Sequence, residues 1–70
     1  MPRYYANLNT DENGNHEVHT TGCSHPPADH NRVPLGIHAS CGPATAAART
    51  KFGGRVDGCK WCCPACHRGR

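Results

Sequence analysis

Four cysteines fall within eight residues near the end of this chain, Cys59-Lys-Trp-Cys62-Cys63-Pro-Ala-Cys66, and His67 follows at once. Cys59-x-x-Cys62 is a tight turn that can aim two sulfurs at one tetrahedral ion, the usual half of a zinc site. Cys63-x-x-Cys66 repeats the spacing. One such pair is a weak sign, but two side by side, with distant cysteine and histidine partners, are a strong one. The other half-site is expected from His19-x-x-x-Cys23, where a strand residue and the loop after it can converge. His19, Cys23, Cys59 and Cys62 would then close a site of three cysteines and one histidine. Closure suits a structural zinc, because a catalytic zinc keeps one position open for water.

Cys41, Cys63, Cys66 and His67 are left over. Their number matches a second zinc, so the sequence admits one ion or two. Cys41 can equally form a disulfide with Cys63 or Cys66, or stay a buried thiol, since free cysteine packs as a small hydrophobe. Cys62 and Cys63 are adjacent, so their side chains can point apart and serve different sites.

Other motifs carry less. His16-Glu17-Val18-His19 departs from the zincin pattern, whose histidines stand four apart on a helix. Here they are three apart, and on a strand they face opposite sides. His16 is expected on the outer face, with Glu17 on the side of neither histidine. His25, His30 and His38 occur singly and read as surface or loop residues. Trp61 reads as a cover over the metal that closes a small core, with stacking on single-stranded nucleic acid as the alternative. A thioredoxin-like use of the cysteines needs a strand before the motif and a helix after it. Cys62-Cys63-Pro64 interrupts that context. With no Ser/His/Asp arrangement, phosphate loop or carboxylate pair, neither an enzyme nor a small-molecule substrate is expected.

The elements that must position these residues have little apolar material. The 70 residues allow one domain, spanning 1–70, and hold only eleven large apolar side chains alongside eight glycines. A core of that size rarely supplies more than about 3–5 kcal/mol, so the chain needs a staple. Its start, Met-Pro-Arg-Tyr-Tyr-Ala-Asn-Leu, has no apolar run of signal-peptide length, and no stretch can span a membrane. The expected compartment is therefore the reducing cytoplasm, where clustered cysteines hold metal more often than they form disulfides. Six histidines agree with metal.

A β-hairpin is expected over 3–20, from strands at Arg3–Leu8 and Asn15–Thr20 around a polar turn ending in Asn13–Gly14. A loop with Pro26 and Pro27 covers 21–32. Residues 33–38 alternate apolar with other residues, and Pro34 confines them to an edge strand. The spacing predicts a helix over 40–52. Ser40 is a good N-cap, Pro43 is tolerated in the first turn, alanines propagate it, and Gly53–Gly54 end it. Cys41, Ala44, Thr45, Ala48 and Phe52 share its buried face. A loop over 53–58 then leads into a knuckle at 58–67. The fold class is a small α+β zinc-stabilised domain.

A resemblance follows from these motifs. Val18-His19-x-x-x-Cys23, an alanine-rich helix and Gly58-Cys59-Lys60-x-Cys62-x-Pro64 resemble the N-terminal zinc domain of the Ada DNA-repair protein and small modules attached to bacterial nucleases. From Tyr5-Ala6-Asn7 to Cys66-His67, the chain is also similar to a family of short cysteine-rich bacterial proteins. Their shared order is His-Glu-Val-His, Gly-Cys, Leu-Gly, Cys, Gly-Cys-x-x-Cys and Cys-His. The first resemblance implies a hairpin end meeting a knuckle after one helix. The second implies no activity. Nothing here matches the methyl-accepting chemistry of Ada, so repair does not carry over.

Charge divides the chain. Residues 1–29 hold Arg3 against Asp11, Glu12, Glu17 and Asp29, whereas residues 30–70 hold seven basic residues against Asp57 alone. Arg49, Lys51, Arg55, Lys60, Arg68 and Arg70 are thus candidate nucleic-acid contacts. The competing view is that they balance thiolate charge in a structural or protein-interaction module. A thiol-redox or metal-handling role for the spare cysteines is the third. Non-enzymatic binding, to nucleic acid or to another protein, is the expected class.

Overall fold

The computed structural model describes residues 2–69. Strand β1 (Arg3–Asn7) pairs antiparallel with β2 (His16–Thr20), with Tyr5 opposite His19. The turn between them closes on Asp11, whose Oδ1 accepts from the N–H groups of Asn13 and Asn15. Gly14 adopts φ +80°, the left-handed conformation expected of its Asn-Gly pair. Strand β3 (Arg32–Ile37) adds antiparallel to β1 at the sheet edge, where Pro34 loses no ladder bond.

The fourth strand corrects the expectation of a loop over 53–58. Val56–Gly58 forms β4, parallel to β2, and the sheet order is β3-β1-β2-β4. A three-residue strand with one apolar side chain has no local signature. It exists because His16 N–H donates to the Arg55 carbonyl and Cys59 N–H to the Val18 carbonyl, at 2.8 and 2.9 Å.

Helix α1 (Cys41–Phe52) lies on one face of the sheet and buries Ala44, Thr45 and Ala48, with Cys41 and Phe52 half-buried at its ends. Ser40 occupies the N-cap, but its hydroxyl makes no capping bond. The helix stops at Gly53, whose N–H donates the last helical bond to the Arg49 carbonyl and whose φ of +76° turns the following chain out of the helix. The core beneath α1 joins Tyr4, Ala6, Val18, Leu35, Ala44, Ala48, Val56 and Cys63. Alternation along β2 places His16 on the same side as Val18. His16 stacks on Phe52, with ring centroids 4.0 Å apart, and its Nδ1–H donates to the Asn7 carbonyl. His16 thus faces the helix rather than outward.

Two features fix the C-terminal segment. A disulfide joins Cys41, at the start of α1, to Cys66, across a Cα–Cα distance of 6.3 Å. Gly58 lies so close to the turn at Pro64–Cys66 that a Cβ there would come within 2.8 Å of Cys66 Cβ and 2.9 Å of the Cys63 carbonyl. No helix among the described residues is long and apolar enough to cross a membrane.

Candidate metal centre

Since Val18 packs beneath α1, its neighbour His19 must point to the opposite face of the sheet. Cys23 follows β2 by one tight turn, its N–H donating to the Thr20 carbonyl. Cys59 comes directly after β4, and a turn closed by Cys63 N–H on the Cys59 carbonyl swings Cys62 back beside it. The parallel pairing of β2 with β4 therefore brings the two half-sites together. This is the contribution of the strand that local sequence does not reveal.

The donor atoms of His19, Cys23, Cys59 and Cys62 all lie within 4.8 Å of one another, in a group that could hold a metal ion. His19 Nδ1 is 3.5 Å from Cys23 Sγ and 3.9 Å from Cys62 Sγ, and the Cys23 and Cys59 sulfurs are 3.7 Å apart. With Zn–S near 2.3 Å and Zn–N near 2.0–2.1 Å, a regular tetrahedron has S–S edges of about 3.8 Å and N–S edges of about 3.6 Å. These three separations lie within about 0.3 Å of those edges. His19, Cys23 and Cys59 are buried, and Cys62 is half-buried.

Each sulfur also has its own backbone donor. The N–H groups of His25, Trp61 and Thr20 point at the sulfurs of Cys23, Cys59 and Cys62, at 3.3, 3.4 and 3.4 Å. Three such bonds favour thiolates. Against them, burial pushes the Cys23 and Cys59 thiols up, and burial, then the Arg32 charge, pushes His19 down. A cation among the four would offset the cost of ionising the thiols, and His19 already favours the neutral form that binds metal. The Tyr5 ring stacks on His19 at 5.7 Å, and the Arg32 guanidinium carbon lies 4.9 Å from the Tyr5 ring centre.

The leftover residues do not converge. Cys41 and Cys66 are joined in the disulfide. Cys63 is a free thiol in the core, its pKa pushed up to about 12 by burial and then by Cys62, whose sulfur is 3.9 Å away. His67 Nδ1 lies 3.0 Å from the Gly58 carbonyl oxygen and 3.3 Å from Asp57 Oδ2. Among the described residues the only convergent ligand group is the one around His19.

Three placements depart from expectation. Glu17 shares the His19 side of β2, with Oε1 3.6 Å from His19 Nε2, because strand alternation pairs residues two apart. Trp61 is 58% exposed, stacked on His25 at 4.4 Å with the Lys60 ammonium 4.9 Å from its ring centre. It closes no core, because its ring lies on the exposed side of the knuckle against His25. Asp57 was not expected to matter, yet it is buried and accepts the N–H groups of Gly58, Arg68 and Gly69. Its one signal was being the lone acid of the basic half.

Arg49, Lys51, Arg55, Lys60 and Arg68 are all exposed, on the end of α1, the loop before β4, the knuckle and the tail. Arg70 lies outside the described residues. An open cleft of about 390 Å³ beside Trp61 is lined by Asp11, Glu12 and Glu17 as well as by Lys60 and His67.

No family model, curated protein or solved structure matches the chain, so the resemblances above rest on motifs alone.

Proposed function

We propose that this chain is a non-enzymatic zinc module in which His19, Cys23, Cys59 and Cys62 hold one structural ion. The supporting observation is that one nitrogen and three sulfurs gather within 4.8 Å of one another, with three of their separations, at 3.5, 3.7 and 3.9 Å, close to the edges of a zinc tetrahedron. Soft thiolates with one imidazole select zinc over calcium or magnesium, which take oxygen ligands. Zinc bound here ties β2 and its loop to the knuckle after β4. X-ray absorption of the zinc-loaded protein should show three sulfurs near 2.3 Å and one nitrogen near 2.0–2.1 Å. An oxygen-rich shell would refute the assignment.

Its binding role is best read as protein interaction. Exposed Trp61 borders a cleft in which Asp11, Glu12 and Glu17 outnumber Lys60, and the excess of carboxylates there disfavours phosphate. On this reading the exposed basic residues mainly balance the thiolates. The nucleic-acid alternative predicts saturable binding of short oligonucleotides at low salt, with a log–log salt slope that falls by about 0.7–0.9 for each phosphate no longer neutralised. Replacing Lys60, Arg68 and Arg70 together would test that slope, and no saturable binding by the wild type supports the protein-interaction reading.

A further inference from the structure

The metal quartet uses one nitrogen of His19 and leaves the other unexplained. Nδ1 faces the sulfurs of Cys23 and Cys62. Nε2 is fully buried and has no hydrogen-bond partner among the described residues. Neutral imidazole carries one proton, so a ring that gives its Nδ1 lone pair to a metal must carry that proton on Nε2. Metal binding would therefore turn the orphan nitrogen into a buried donor that needs an acceptor.

The surroundings of Nε2 narrow the choice. Tyr5 offers the ring its face, at an interplanar angle of 22°, and its own buried hydroxyl lacks a partner among the described residues. Glu17 offers a carboxylate oxygen at 3.6 Å, a few tenths of an ångström beyond hydrogen-bond reach. It stands two residues before His19 on β2, so the pleat keeps both side chains on one face. Its side chain is 31% exposed, which leaves a long carboxylate freedom to close that gap by a small rotation.

We propose that Glu17 is the positioning residue of the metal centre, its carboxylate accepting the Nε2–H of His19 when Nδ1 binds zinc. The bond fixes the tautomer, holds the ring against rotation and makes the imidazole a stronger donor to the ion. Tyr5 and Glu17 then divide the work, one restraining the ring plane and the other its in-plane direction. The role rests on the zinc reading of the quartet, and the experiment separates the two.

Zinc affinity is measured by competition with a chromophoric chelator on the full chain, as wild type, Glu17→Gln, Glu17→Ala, Glu12→Gln and Cys59→Ser. Long-range proton–nitrogen NMR on the zinc-loaded wild type reads the His19 tautomer. The expected spectrum has metal-bound Nδ1 and a slowly exchanging proton on Nε2. Glu17→Ala should lose about 10–100-fold in affinity, the usual effect of removing such a partner. Its Nε2 proton should also exchange faster. Glu17→Gln, which keeps an uncharged acceptor, should fall between, and Glu12→Gln should match the wild type. Glu17 variants that bind zinc as the wild type does, with unchanged exchange, would overturn the role of Glu17 alone. So would coordination through Nε2. A wild type that takes no zinc, or a Cys59→Ser chain that keeps full affinity, would overturn the site reading beneath it.

Discussion

The two faces of the sheet are held by different means. Beneath α1 the contacts are apolar and mostly small: Ala6, Val18, Ala44, Ala48 and Val56, with Tyr4 and Leu35 as the larger members. On the opposite face and around the knuckle, Tyr5, His19, Cys23 and Cys59 are buried, with Glu17 and Cys62 half-buried beside them. The first face lets the helix approach closely, but each alanine removes little apolar area from water, at about 25 cal/mol per Å². The second face buries thiols and an imidazole, whose polar atoms cost free energy unless partnered. The helix face is apolar but offers little area to bury, whereas the cysteine face gathers ligand atoms that a bound cation would partner. Structural zinc supplies apparent binding free energies of about 10–16 kcal/mol in small peptides, more than a core of this size.

The largest expected effect follows from emptying the second face. Chelating the metal, or Cys59→Ser, should collapse amide dispersion in the NMR spectrum across both faces. Val18→Ala on the first face should cost about 2 kcal/mol and leave the zinc stoichiometry unchanged. A native spectrum retained in excess chelator would show that the helix face suffices, and the contrast would fail.

Next in size is the disulfide, which belongs to both regions because it ties the start of α1 to the Pro64–Cys66 turn within the knuckle. Its loop spans a sequence separation of 25, for which loop-closure entropy gives about 3–4 kcal/mol. Cys41→Ser with Cys66→Ser should lower the thermal midpoint of the zinc-loaded protein accordingly, without changing zinc stoichiometry. An unchanged midpoint would show that the bridge adds no stability. Two zinc ions bound by the wild type with no disulfide would remove the bridge altogether.

Smaller again is Gly58→Ala. The added Cβ would press on Cys66 and on the Cys63 backbone, and overpacking of this kind costs about 1–3 kcal/mol. Because Gly58 ends β4 directly before Cys59, zinc affinity should fall with stability. A substitution that lowered neither would place the close approach elsewhere.

Much of this was legible in the sequence, and the division follows the range of the interactions. The helix was readable because alanine propensity, Pro43 and Gly53 act within one turn. The hairpin was readable because Asn13–Gly14 specifies its own turn. The quartet of His19, Cys23, Cys59 and Cys62, which the structure brings together, was suggested by spacing within each half-site. What joins the halves was not readable. Strand β4 depends on partners some forty residues away, at His16 and Val18, and its own Val-Asp-Gly has no strand signature. The sides taken by His16 and Glu17 become clear once Val18 is fixed in the core, since alternation then assigns both. Four spare ligands suggested a second zinc by number, but Cys41 and Cys66 are bridged and His67 turns to Gly58 and Asp57. The bridge also sits uneasily with a reducing cytoplasm, where such bonds are rare.

Native mass spectrometry of the purified, non-reduced protein tests the central claim most directly, because zinc and disulfides change the mass of one sample independently. The expected result is one zinc ion and one disulfide per chain, with three thiols ionised at the metal and Cys63 free. A folded chain carrying no metal, or one whose Cys59 and Cys62 are themselves oxidised, would contradict it.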